Sequence, residues 1–168
     1  MNHLFTSETQ ALFFNLKLGP IQNMLDFDYL SRRQTPSIAA IIHPGRKGFH
    51  KAFFGKKEII IPVFDSIVGA AEKHPQADVF INFASFRSAY TSSKEALQIP
   101  SIKTIIIVAE GIPERQTKEL IAIAKKENKI IIGPSTVGGI AAGKFRIGYA
   151  GGMNENIIKA KQKSEFSY

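Results

Sequence analysis

Short apolar runs recur along the chain, each separated from the next by a longer amphipathic or polar stretch. They lie at residues 11–15 (ALFFN), 37–43 (SIAAIIH), 78–84 (DVFINFA), 103–109 (KTIIIVA) and 129–133 (KIIIG), with a shorter one at 58–63 (EIIIPV). Runs without in–out alternation belong to strands covered on both faces. The stretches between them carry helical signals. Ile21, Met24, Leu25 and Asp28 share one face, which starts a first helix just after Pro20. Asp65 or Ser66 can cap a helix carrying Ile67, Ala70 and Ala71 that stops before Pro75. A serine-rich helix is expected at 85–98, with Ala89, Ala96 and Leu97 as its apolar positions. Pro113 suits the opening of another, striped by Thr117, Leu120, Ile121 and Ala124, with Asn128 as its left-handed stop. Strand–helix alternation of this kind predicts an α/β, Rossmann-like fold, a mostly parallel sheet with helices on both faces.

After Gly133 the pattern dissolves. The stretch 133–156 holds seven of the 13 glycines and reads as loop with one short strand at 145–147. The expected organisation is one domain over residues 1–160 and a tail at 161–168, disordered or a truncation point.

Composition narrows this picture. A chain of 168 residues, 44% hydrophobic, can bury one real core. No run approaches the ~18 apolar residues that span a bilayer. The opening "MNHLFTSETQ" lacks the basic start and apolar centre of a secretory signal, so a cytoplasmic domain with no membrane partner is expected. The absence of cysteine excludes disulfides, thiolate nucleophiles and cysteine-based zinc sites. The net charge of +8 favours phosphorylated partners without choosing among them. Phe13, Phe14, Phe80 and Phe83 sit in or beside the apolar runs, which suits a core better than a base-stacking platform and argues against nucleic acid.

In open α/β sheets, ligands bind beyond the carboxyl ends of the strands. Those ends read "LKLGPIQN", "HPGRKG", "FASFRS", "AEGIPE" and "GPSTVGG". In the first, Gly19 leaves room for a phosphate and Lys17 adds charge. Pro20 removes one donor, while Ile21, Gln22 and Asn23 keep theirs. An ordinary strand–helix turn has the same composition. The second end places Arg46 and Lys47 where an NAD site carries an acid. That suits the phosphorylated ribose of NADP or coenzyme A, or a solvated basic loop. Glu110 reads as an acid–base group, a ribose ligand or a helix cap. Ser85, Ser88, Ser92 and Ser93 lack a nucleophile elbow and read as helix-start hydroxyls. His3, His43, His50 and His74 share no metal-ligand spacing.

The segments "MLDFDYLSRR", "IPVF", "HPQADVFINFASFRSAY", "AEGIPE" and "GPSTVGGIAAGKFRIG" resemble the coenzyme A-binding domain of the ATP-citrate lyase family. "TQALFFN", "PIQNMLDFDYL" and "TPSIAAIIHPG" are most like the B-type chain of its plant two-subunit form. The resemblance runs from about Leu4 to Lys161. More distantly, "AEGIP", "GPSTVGG" and "GKFRIG" are similar to the α subunit of succinyl-CoA synthetase. The resemblance to the lyase implies a share in the ATP-driven ligation of citrate to coenzyme A and its cleavage to acetyl-CoA and oxaloacetate. The share implied is the holding of coenzyme A.

By position, the synthetase's glycine-rich turn falls on Pro20, Ile21, Gln22 and Asn23, of which Gln22 is retained. Its coenzyme A lysine falls on Arg46. Phe83, Ala84 and Ser85 match a strand end lining the groove. Val108, Ala109 and Glu110 match another, and Gly133, Pro134 and Ser135 match the loop toward the reacting end. The cofactor set implied is therefore these residues together with Lys17 and Gly19.

The family's phosphohistidine stands in a Gly-His-Ala-Gly setting, which no histidine here has. ATP-grasp and lyase modules are absent from the sequence as well. The chain alone is thus not expected to be catalytic. Its expected partners are coenzyme A and other modules or subunits of the lyase, with homo-oligomerisation open. A standalone coenzyme A- or NADP-binding module with a regulatory or interaction role is the competing reading.

Overall fold

The computed structural model describes residues 4–150. The tail expected at 161–168 and His3 lie outside them. A seven-stranded sheet forms the centre. Along the chain come β1 (Ala11–Phe14), α1 (Leu18–Leu30), β2 (Ile38–Ile42), β3 (Gly48–Phe54), β4 (Lys57–Phe64) and α2 (Ile67–Lys73). They are followed by β5 (Val79–Asn82), α3 (Phe86–Leu97), β6 (Thr104–Ile107), α4 (Glu114–Lys126) and β7 (Ile130–Ile132). A two-stranded ribbon, β8 (Gly139–Ala141) and β9 (Phe145–Ile147), completes the described elements. The sheet order is β3-β4-β2-β1-β5-β6-β7. All neighbours are parallel except β3 and β4, which form an antiparallel hairpin at one edge.

The uniformly apolar runs are explained by a core on each face. On β1, Ala11 and Phe13 point to one side, where Ile21, Met24 and Leu25 of α1 meet Phe145 and Ile147 of β9. Leu12 and Phe14 point to the other side, where α2, α3 and α4 supply Ile67, Ala89, Leu97, Leu120 and Ala124. Every residue of β1, β5 and β6 is buried. This is the burial expected of central parallel strands.

Several local signals hold. The Ser66 hydroxyl caps α2 by accepting from the Gly69 N–H at 3.2 Å. Asn128 adopts φ 53° behind α4, and Lys129 N–H returns to the Ala124 carbonyl at 2.8 Å, closing that helix end. The Lys129 ammonium donates to the Leu97 and Ile99 carbonyls (2.8 and 2.6 Å), satisfying the end of α3.

Other expectations change. The basic stretch after β2 is not simply a loop, because Gly48–Phe54 forms β3. Its alternation of Phe, His and Lys buries only Ala52 fully, and so lacked the density of an apolar run. The first helix begins at Leu18, ahead of Pro20, since proline is tolerated in a first turn. Ile121 faces solvent and Ile123 packs in its place. Ser92 and Ser93 are not helix-start hydroxyls. Both accept hydrogen bonds from the buried Asn82 amide (2.8 and 2.9 Å) in the middle of α3.

At the amino ends of the strands a buried ion pair joins three segments. Asp28 and Arg33 lie 3.4 Å apart with fully buried side chains. Asp28 accepts from Ser37 N–H at 2.6 Å. Arg33 donates to the carbonyls of Thr6, Thr9, Thr35 and Lys144, fastening the N-terminal segment and the β8–β9 turn to the sheet. Burial pushes the Asp28 carboxyl up to about 6, against the opposing pull of Ser37 and Arg33.

Candidate functional site: the crevice at the carboxyl ends of β1 and β5

After β1 the chain crosses by α1 toward β2. After β4 it crosses by α2 to β5, on the other side of β1. The strand order therefore reverses between β1 and β5, which puts the crevice that ligands use in such sheets at their carboxyl ends. Asn15 builds its floor. At φ 77° it turns the chain off β1, a conformation that asparagine tolerates. Its N–H donates to Ile42 O at 2.8 Å and its amide to Phe83 O at 3.1 Å, sewing β2, β1 and β5 together.

On the β1–α1 lip, Lys17 is exposed and Leu18 opens the helix. Helix geometry leaves the N–H groups of Leu18 and Gly19 without intrahelical acceptors, and Pro20 has none to offer. Ile21 is buried and its N–H already donates to Lys17 O at 3.2 Å. The donors at the turn are thus those of residues 18 and 19, earlier than the expected 21–23. The Gln22 amide is committed elsewhere. It donates to Phe53 O at 2.8 Å and to Asp26 at 2.8 Å, and accepts from Phe53 N–H at 3.1 Å. Asn23 is half-buried in the second turn.

On the β5–α3 lip, Phe83 stacks on Phe13 with ring centroids 4.9 Å apart. Ala84 N–H donates to the Asn82 side-chain Oδ1 at 2.9 Å. Ser85 occupies the N-cap position of α3, but its hydroxyl makes no capping bond and is exposed. Arg87 stands exposed in the next turn, 5.5 Å over the Phe86 ring. The Pro44–Gly45 turn after β2 presents Arg46, whose N–H closes on His43 O at 3.0 Å and whose side chain is solvated. Lys47 pairs instead with Asp65 at 3.2 Å. Between α2 and α3, a cavity of about 320 Å³ opens beside this rim, lined by Phe14, Pro44, Asp65, Ser66, Ser88 and Glu95 among others.

The β6 and β7 ends complete the row. Val108 and Ala109 are half-buried, with Val108 N–H on Asn82 O at 3.1 Å and Ser135 N–H on Ala109 O at 3.0 Å. Glu110 is exposed and is not the cap of α4, since that position is Pro113. Gly133 has φ 99°, and a side chain there would meet Ile107 O at 2.3 Å, so glycine is required for the loop to fold back over β6. Pro134 is half-buried and Ser135 exposed beyond it.

The structure thus brings Lys17, Gly19, Arg46 and Phe83–Ser85 to the carboxyl end of the sheet, with 108–110 and 133–135 in the same row. It draws the Gln22 side chain toward the hairpin. Asn15, Arg87 and Tyr149 are the rim residues that sequence reasoning missed. Tyr149 lies edge-on to Phe83 at 5.9 Å, after a glycine-rich stretch with no periodic signal. Among the described residues no group of His, Asp and Glu is arranged to hold a metal ion, and no helix is long and apolar enough to cross a membrane.

No family model matches the chain. It is 60% identical over 158 residues to ATP-citrate synthase beta chain protein 1 of Arabidopsis thaliana, covering 94% of this chain and 26% of that protein. A solved ATP citrate lyase from Methanothrix soehngenii, in complex with citrate and coenzyme A, is 51% identical with a TM-score of 0.90. That match covers 92% of this chain and 25% of the other. A dinucleotide-forming acetyl-coenzyme A synthetase from Ca. Korarchaeum cryptofilum, 13% identical with a TM-score of 0.62 over 87% of this chain, shares the fold alone. The chain spans about a quarter of the length of the ATP-citrate synthase relatives it matches. By sequence and by fold, it is a relative of the domain-sized quarter of ATP-citrate lyase to which it aligns.

Proposed function

We propose that this chain is the coenzyme A-binding portion of an ATP-citrate lyase. In this reading residues 1–160 act as one cytoplasmic domain that works with the ligase, ATP-grasp and lyase modules of its relatives. One observation carries it. The crevice with an open helix start, an uncapped serine and a solvated arginine lies in a segment half identical to a lyase described with citrate and coenzyme A.

The residues fit that cofactor chemically. Gly19 presents no side chain, so an anion can approach the N–H groups of residues 18 and 19. Lys17 and Arg46 offer charge for phosphates, and Ser85 an uncommitted hydroxyl. The apolar Val108 and Ala109 suit a pantetheine arm, with Gly133, Pro134 and Ser135 toward its thiol end. Bound coenzyme A would supply the thiol that accepts the acyl group. The chain's own residues bind and orient it. Ligation and cleavage of citrate, with ATP consumed, belong to the assembled enzyme.

Calorimetric titration of the purified chain with coenzyme A, dephospho-CoA, NADPH and NAD tests this. The expected ranking has coenzyme A tightest. Tighter binding of NAD than of coenzyme A overturns the reading. Incubation with labelled ATP is expected to leave the chain unphosphorylated, and citrate uncleaved.

A further inference from the structure

Phe83 is the aromatic wall of the β5 lip, yet it is only 7% exposed. Phe13 covers one face of its ring. The opposite approach is taken by the loop after β9. Gly148, at φ 56°, lies so close that a side chain there would meet the Phe83 ring at 2.9 Å. The absence of a side chain lets the loop settle on Phe83 and delivers Tyr149 across the crevice. The Tyr149 ring then touches both lips. It stands edge-on to Phe83, 5.9 Å between centroids and 72° between planes. Its ring and hydroxyl also lie 3.7 and 3.8 Å from where a methyl group at Gly19 would sit.

This contact is easily broken. Tyr149 is 56% exposed, and its hydroxyl makes no hydrogen bond to a described residue. The loop behind it is tied by a long Ala150 N–H to Ile147 O bond of 3.3 Å. Among the described residues, swinging the ring outward gives up its edge-on contact with Phe83 and its approach to Gly19.

We propose that Tyr149 is a gate residue. It bridges the β1 and β5 lips in the free protein and must swing out before a ligand can occupy the crevice between Gly19 and Phe83. The inference rests on the coenzyme A reading above and adds a determinant of its affinity. A ligand that binds only the open state has an apparent Kd equal to its intrinsic Kd divided by the fraction of molecules that are open. An aromatic pair is worth about 0.5–1.5 kcal/mol, a factor of about 2 to 13, and this sets the expected size of the effect.

The test is titration of coenzyme A into the intact wild-type chain, Tyr149→Phe and Tyr149→Ala, with circular dichroism confirming that each is folded. Tyr149→Phe keeps the ring and should match the wild type. Tyr149→Ala should bind about 2- to 13-fold more tightly. In the wild type, the nuclear Overhauser contact between the Tyr149 and Phe83 rings should disappear at saturating coenzyme A. Equal affinity in all three proteins overturns the gate and leaves the coenzyme A reading standing. Weaker binding by Tyr149→Ala also overturns it, because the ring would then be a wall of the bound site. Absence of binding in all three removes the coenzyme A reading and the gate with it. Binding by Tyr149→Ala alone supports both.

Discussion

The two ends of the parallel sheet treat charge in opposite ways. At the amino ends, Arg33 and Asp28 are fully buried, and Arg33 is surrounded by four carbonyls. At the carboxyl ends, Lys17, Arg46 and the Ser85 hydroxyl face solvent. A cation held by its own fold stabilises the fold and has nothing left for a ligand. A cation left in water adds little stability and keeps its hydrogen bonds for a partner. The residue type is the same, and the packing around it decides which role it plays.

Breaking the amino end should have the largest effect. Arg33→Met leaves the Asp28 charge buried and uncompensated, a loss of about 3–5 kcal/mol at pH 8, read from urea melts. At pH 5 the loss should shrink, because Asp28 is then protonated. The wild type carries its own signature. The carboxyl is raised from 3.8 to about 6 in the folded state, so its protonated form favours folding. That contribution is present in full below pH 4 and is lost as pH rises through about 6. Asp28→Asn should flatten the slope of stability against pH in that window. A slope unchanged by the substitution would remove Asp28 as its source.

At the carboxyl end the losses should appear in binding and not in melting. Arg46→Ala should weaken coenzyme A by about 1.5–3 kcal/mol and dephospho-CoA much less, if one charge-assisted contact to the 3′-phosphate is removed. Its effect on stability should stay within about 0.5 kcal/mol. Equal losses for the two ligands would move the 3′-phosphate away from Arg46, with Lys47 the next candidate.

Gln22 draws the boundary between the two behaviours. It sits among the residues that family position assigns to the cofactor, but its amide is bonded to the Phe53 main chain. Gln22→Ala should cost about 1–3 kcal/mol of stability for three lost hydrogen bonds and leave coenzyme A affinity unchanged. A change in affinity without a change in stability would return Gln22 to the cofactor.

The legibility of the sequence divides in the same way. Strands β1, β2, β5 and β6 were legible because burial on both faces demands uninterrupted apolar runs, and β7 keeps such a run at the sheet edge although Ile130 is exposed and Ile131 and Ile132 are half-buried. Asn128 and Ser66 were legible because a left-handed stop and an N-cap are local chemistry. Strand β3 was not, since an edge strand alternating Phe and Lys resembles a solvated loop. At the crevice, the places of Arg46 and Ser85 follow from the residues just past the carboxyl end of each strand. The reorientation of Gln22 depends on a hairpin 31 residues away, and Tyr149 reaches Gly19 from the far end of the described chain. Contacts of that range leave no local pattern.

The Gln22–Phe53 pair has a further consequence for solubility. Phe53 belongs to β3, the outermost strand, whose outward-facing N–H and carbonyl groups would otherwise template another chain. The Gln22 amide accepts from one and donates to the other, standing in for one residue of a neighbouring strand. Lys51, two positions back on the same outward-facing side, adds a charge that an incoming strand would have to desolvate. Edge-to-edge aggregation at this hairpin therefore has to break a pair of side-chain hydrogen bonds and bury a lysine before its first intermolecular bond can form.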